Sequence, residues 1–139
     1  IESFGGIKID NIDNGLKEVD ILSLSVPLNK ETHNMINLEK MKMMKKTSII
    51  INISRGGIVN EKDLNESLNN GTIHGAGLDV FENEPPNNDN PLLKNKKVLL
   101  SPHAATFTKE CLSGMAIQTT QNIIDFFDKK IDKSMIVKL

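Results

Sequence analysis

Apolar residues fall along the chain in short runs that alternate with stretches of helical spacing. Residues 20–26 form a strand candidate that Pro27 stops. Leu38, Met41 and Met44 recur at helical spacing, which predicts a helix over residues 38–46. Four of residues 48–53 are isoleucine, the β-branched pattern of a strand buried on both faces. Asn60 is placed to cap a helix running through Leu64 and Leu68, and Gly71 is its natural stop. A third strand falls within residues 73–80, and a fourth spans 97–101 and ends at Pro102. The last helix is predicted from about Thr108 to Lys129, with Cys111, Met115, Ile123 and Phe127 along one face.

This is the rhythm of βαβ units. It predicts an α/β fold: a Rossmann-like, doubly wound parallel sheet, present in part as about four strands with crossover helices. No internal repeat interrupts it. The polar run 83–90 holds two prolines and four asparagines, so a surface loop is expected there.

Composition removes several function classes. With 139 residues, 38% hydrophobic and 25% charged, the chain has the balance of a globular protein with a real core, not of a disordered one. A net charge of -1 supplies no general attraction to nucleic acid or to an anionic membrane. No apolar run is long enough to span a bilayer, and the start lacks a signal-peptide pattern. One cysteine, Cys111, excludes an internal disulfide framework, so a reducing compartment, the cytoplasm, is the expectation.

In open parallel sheets ligands bind beyond the carboxyl ends of the strands. Pro27-Leu28-Asn29 follows the first predicted strand, Ser54-Arg55-Gly56-Gly57 the second, residues 79–85 the third, and residues 102–106, with His103, the fourth. Arg55, the chain's one arginine, several acids and a histidine therefore meet at one edge. A guanidinium grips a carboxylate in a bidentate way that lysine does not match. Paired glycines let backbone approach a ligand closely. A carboxylate beside a histidine favours the imidazolium and makes a better general base. These pieces suit proton-coupled chemistry on a small acid and supply no obvious nucleophile.

Three segments, Asn52-Ile53-Ser54-Arg55-Gly56-Gly57, Gly77-Leu78-Asp79-Val80-Phe81-Glu82-Asn83-Glu84-Pro85 and Ser101-Pro102-His103-Ala104, resemble the C-terminal signatures of the D-isomer-specific 2-hydroxyacid dehydrogenases. Val26-Pro27-Leu28-Asn29-Lys30-Glu31-Thr32 is similar to a fourth, upstream segment of that family, and order and spacing agree. The resemblance implies an oxidoreductase that passes hydride between NAD or NADP, with NAD favoured, and a D-2-hydroxy acid or its 2-keto form. Glycerate and hydroxypyruvate, glyoxylate, or 3-phosphoglycerate are the kinds of substrate it implies. Catalytic roles pass to Arg55 as holder of the substrate carboxylate and carbonyl, to His103 as acid-base group, and to Glu84 as the carboxylate that pairs with His103 and raises its pKa. Val26, Ile53, Ser54, Arg55, Asp79, His103, Ala104 and Ala105 are the cofactor-side residues it implies, with Asp79 at the nicotinamide carboxamide. No metal is required, and relatives are commonly dimers, so a homodimer is implied for the full-length protein.

Departures are few. Ser25 stands where many members have histidine and Thr47 where a glycine often precedes the second strand. Glu84 separates the chain from formate dehydrogenases, which pair their histidine with glutamine. The family's Gly-x-Gly-x-x-Gly turn, which seats the pyrophosphate on a helix N-terminus, does not occur in these 139 residues. The expectation is therefore that residues 1–139 are the C-terminal portion of a dinucleotide-binding domain. The glycine-turn region and substrate domain lie outside it, and the fragment is inactive alone.

Other residues keep an ordinary reading. His33 and His74 are expected at the surface, and three spread histidines with one cysteine make no metal-ligand pattern. Lys40, Lys42, Lys45 and Lys46 complement a helix C-terminus, Met41, Met43 and Met44 fill core, and Cys111 is inert. A second reading of the whole is a non-catalytic nicotinamide-sensing or corepressor-like module. The complete Arg55, Glu84 and His103 set argues against it, because a module that only binds has no need of an acid-base pair.

Overall fold

A computed structural model describes residues 2–136. It divides into two compact units, Ile1–His103 and Ala104–Leu139. The first unit holds helix α1 (Ile12–Leu16), strand β1 (Ile21–Leu24), helix α2 (Leu38–Lys42), strand β2 (Ile49–Asn52), helix α3 (Glu61–Asn69), and strands β3 (Gly75–Leu78) and β4 (Val98–Leu100). A 3-10 turn, Pro91–Lys94, precedes β4. The four strands form one parallel sheet in the order β1-β2-β3-β4. This is half of a Rossmann-like sheet, as the alternation of runs predicts.

Local chemistry explains the helix starts. The side chains of Asn11, Asn37 and Asn60 each accept a backbone N–H of the helix that follows, satisfying donors that a helix N-terminus leaves open. The predicted helix over 38–46 ends sooner, at Lys42. Its continuation is spent on turns, with Met44 N–H bonded to the Met41 carbonyl at 3.1 Å and Ser48 N–H to that of Lys45 at 2.9 Å. Met41 and Met44 are nonetheless buried, as core filler should be. Lys40 and Lys45 are paired with Asp13 and Asp20, and His33 and His74 are exposed.

The core lies on one face of the sheet. Leu24, Ile50, Ala76 and Leu78 point into it and meet Leu16, Met41, Leu64, Leu68 and Leu92. Burial of a side chain such as Ile50 or Leu64 contributes about 1.5–3 kcal/mol. The other face is less covered, and here the expectation for β2 is corrected. Ile50 and Asn52 are buried, whereas Ile49 and Ile51 are half-buried and neighbouring Ile21 and Leu99 are exposed. Within this unit the helices pack against one side only, so alternate residues of each strand lack a covering layer.

The second unit is built on helix α4 (Lys109–Phe127), capped by the Thr108 hydroxyl, which accepts the Cys111 N–H at 3.1 Å. Its length matches the predicted helix, but none of its residues is buried, so the apolar positions Met115, Ile123 and Phe127 stay exposed. Gln118 and Gln121 bond residues one turn on, Asn122 and Asp125, and Cys111 is half-buried.

Candidate active site

The register places Leu24 beside Asn52, Asn52 beside Leu78, and Leu78 beside Leu100. All four strands therefore end level, and the segments after them leave from one edge. Strand spacing makes β2 and β4 about 10 Å apart, within reach of a small ligand held between their loops.

At the end of β2, Asn52 is buried and uses both ends of its amide. Its Nδ2 donates to the Arg55 carbonyl at 2.9 Å, while its Oδ1 accepts from the Ser54 N–H at 3.1 Å and the Ser54 hydroxyl at 2.9 Å. This side chain shapes the turn that carries Ile53, Ser54 and Arg55. Ile53 and Arg55 are exposed, and the Arg55 guanidinium donates to the Ser54 carbonyl at 2.6 Å. With Ser25, Val26, Pro27 and Leu28 after β1, these residues line an open cleft of about 600 Å³.

The paired glycines require a correction of cause. Gly56 is needed for a close approach, but to the protein's own backbone, because a Cβ there would stand 1.7 Å from the Phe81 carbonyl oxygen. Gly57 has φ +79, a conformation that strains residues with a side chain.

Asp79 follows β3 and is buried. Its backbone N–H donates to the Asn52 carbonyl at 3.0 Å, and its side chain accepts the Ser101 hydroxyl at 2.5 Å. Its carbonyl accepts the His103 N–H at 2.9 Å, which ties the β4 loop to the β3 loop. His103 itself sits in the left-handed region at φ 52, a position that costs an ordinary residue about 1 kcal/mol or more. The side chains meet next to that strained backbone. Glu84 Oε2 lies 2.7 Å from His103 Nδ1, and Glu84 Oε1 accepts the Phe81 N–H at 3.1 Å.

The electrostatics follow from these contacts. Glu84 is held below its ordinary carboxylate value, first by the hydrogen bond from His103 and next by the Phe81 N–H, with the charges of His103 and Arg55 adding to both. An ionised carboxylate only accepts, so Nδ1 carries the proton of the neutral ring and Nε2 is left as the acceptor. The arrangement is thus a histidine oriented at one nitrogen and able to exchange a proton at the other. A guanidinium lies close enough for its charge to reach the pair. Beside it opens an apolar pocket of about 490 Å³, walled by Phe81, Pro85, Leu93, Leu100 and Pro102.

The structure therefore gathers Val26, Ile53, Ser54 and Arg55 in one cleft, and Asp79, Glu84 and His103 in one hydrogen-bonded set. Ala104 and Ala105 open the second unit, where the Ala104 carbonyl accepts the Phe107 N–H at 2.9 Å. Asn52 and Ser101 are the supporting residues that pattern reading passes over. The signal for Asn52 is an amide closing a β-branched strand. Among the described residues no group of three or more His, Cys, Asp or Glu is placed to hold a metal ion.

A level parallel edge bearing an arginine and a carboxylate-oriented histidine defines a class: an open parallel α/β sheet with an acid-base pair at the carboxyl ends of its strands. Residues 2–105 match the family described as D-isomer specific 2-hydroxyacid dehydrogenase, NAD binding domain, and the chain belongs to that family. It is 44% identical over 131 residues to a glyoxylate reductase of Korarchaeum cryptofilum, a match covering 94% of this chain and 40% of that protein. It is 41% identical over 126 residues to a glyoxylate/hydroxypyruvate reductase B of Escherichia coli, covering 91% and 39%. Its fold is similar to that of a D-isomer specific 2-hydroxyacid dehydrogenase from Lactobacillus delbrueckii ssp. bulgaricus, solved with NAD. That match has a TM-score of 0.81 and 31% identity, over 91% of this chain and 42% of that one. The chain thus spans about two fifths of the relatives it matches. No helix among the described residues is long and apolar enough to cross a membrane.

Proposed function

We propose that residues 1–139 supply the C-terminal portion of the dinucleotide-binding domain of an NAD(P)-dependent D-2-hydroxyacid dehydrogenase, with NAD as the favoured cofactor. The observation that carries this reading is the 2.7 Å contact of Glu84 with His103 Nδ1 at the edge that also bears Arg55. When bound, the nicotinamide supplies or accepts the hydride. Arg55 grips the carboxylate of a 2-keto acid by its paired N–H donors. His103 holds a proton at Nε2 and gives it to the substrate oxygen during reduction, and takes it back during oxidation. Glu84 stabilises the imidazolium between those events.

The chain's own residues fit a nicotinamide on its side of the site. Val26, Leu28 and Ile53 give an apolar wall in the cleft beyond β1 and β2, with Ile53 and Leu28 each 46% exposed and available for contact. Ser54 and Arg55 supply polar edges, and Asp79, whose carboxylate accepts the Ser101 hydroxyl, is the acid that family likeness assigns to the cofactor side. Family likeness assigns Ala104 and Ala105 to the cofactor as well. The names of the relatives support glyoxylate or hydroxypyruvate as the substrate. One cysteine supports a reducing compartment, the cytoplasm, and family likeness supports a homodimer.

The test is NADH and NADPH oxidation by the full-length protein with glyoxylate, hydroxypyruvate and 3-phosphohydroxypyruvate. Turnover with one of the three is expected. No oxidation with any 2-keto acid overturns the reading.

A further inference from the structure

Behind Glu84 lies a second set of hydrogen bonds centred on Glu61, the first residue of α3. One oxygen of the Glu61 carboxylate accepts the Glu82 backbone N–H at 2.6 Å, and the other accepts the Asn90 side-chain amide at 2.7 Å. In return Glu82 Oε1 accepts the Glu61 N–H at 3.1 Å, satisfying one of the donors at the helix N-terminus. A single carboxylate thus ties both ends of segment 82–90 to α3. The Asn90 amide is not free to turn over, because its Oδ1 accepts the Leu92 N–H at 3.0 Å and caps the following turn.

Glu84 lies within the segment so fastened. On its other side the segment is braced by Gly56 against Phe81, and Phe81 donates its N–H to Glu84. We propose that Glu61 is a positioning residue for the acid-base pair: by tying residues 82 and 90 to α3 it sets the Glu84 carboxylate at hydrogen-bonding distance from His103. The role of the pair itself rests on the function proposed above. Glu61 acts only through the loop. A displacement of about 1 Å in such a group is worth roughly a hundredfold in rate, so a tie far from the substrate has catalytic consequences.

The bland account of Glu61 is an acid at a helix N-terminus, which stabilises the helix dipole and nothing more. Glu61→Ala and Glu61→Gln in the full-length protein separate the two. Alanine removes both ties. Glutamine keeps one acceptor oxygen but meets the Asn90 donor with a second donor, so it keeps one tie. The expected result is a fall in kcat of about tenfold or more for alanine and a smaller fall for glutamine, with KM for the 2-keto acid near wild type. Carbon-detected titration of Glu84 is expected to move upward, toward the ordinary carboxylate value, in Glu61→Ala. A lower Tm with kcat and the Glu84 titration unchanged overturns the proposal. Where Glu61→Ala does not fold, Glu61→Gln carries the same comparison. If the wild type turns over no 2-keto acid, the functional reading fails and the titration decides alone: an unmoved Glu84 overturns the positioning role.

Discussion

A methyl group on Gly56 would stand 1.7 Å from the Phe81 carbonyl oxygen and 2.5 Å from the Glu82 amide nitrogen. The loop bearing Arg55 and the loop bearing Glu84 are therefore in direct backbone contact, and neither neighbour is a flexible side chain that swings aside. Gly56→Ala is expected to force the loops apart and to destabilise the protein by about 3 kcal/mol or more. Chemical denaturation measures this. A loss within about 0.5 kcal/mol, the range of neutral surface changes, would show that the two loops are not locked.

Arg55 and His103 occupy different places at the edge, and their removal is expected to act on different constants. In the full-length protein Arg55→Ala is expected to raise KM for the 2-keto acid strongly, because the lost contact is to the substrate carboxylate. His103→Ala is expected to lower kcat by roughly 10²–10⁴-fold, the usual worth of a positioned acid-base group. Steady-state kinetics of the two variants checks this, and equal, small effects would refute the roles assigned.

Ser67 offers a test of the core that is independent of function. Its hydroxyl is buried on α3 with no hydrogen-bond partner among the described residues. An unpaired buried hydroxyl costs free energy that a methyl group does not, and alanine also favours the helix. Ser67→Ala is expected to raise stability by about 1 kcal/mol, read as a higher denaturation midpoint at unchanged m-value. A fall of similar size would mean that the hydroxyl has a partner after all.

The strands and the chemistry at their ends were legible because both are local. Residues 48–53 announce a strand by branching at Cβ, and Arg55 and His103 follow strand ends wherever the sheet is drawn. What stayed hidden depends on residues far apart in the chain. Nothing near Gly56 names Phe81 as the reason for its missing side chain. The run 83–90 has the composition of a solvated loop, yet the carboxylate of Glu61 fastens it at both ends. Pro102 marks a turn but does not say that His103 takes a left-handed backbone; the bond from its N–H to the Asp79 carbonyl holds it there. The half-covered face of β2 was missed for a related reason. Branched residues on both sides of a strand predict two covering layers, and the first unit folds only one.

Glu84 gives the pair a pH signature whose sign is fixed by its contacts. Its pKa is lowered from 4.5, chiefly by the bond from His103 and then by the Phe81 N–H. A carboxyl with a depressed folded pKa lends stability that is present in full above the unfolded value and is lost as pH falls through the folded one. Stability is therefore expected to decline below pH 4.5 through this group, and Glu84→Gln is expected to remove that part of the decline. The Glu84 side chain is 38% exposed, so solvent screens the pair and the effect is modest. Urea denaturation of wild type and Glu84→Gln from about pH 6 to pH 3 spans the ordinary carboxylate range. The gap between the two proteins is expected to be constant at the upper end and to narrow as pH falls below the ordinary carboxylate value. A gap that holds its size throughout would mean that Glu84 is not ionised against His103, and the acid-base assignment would fall with it.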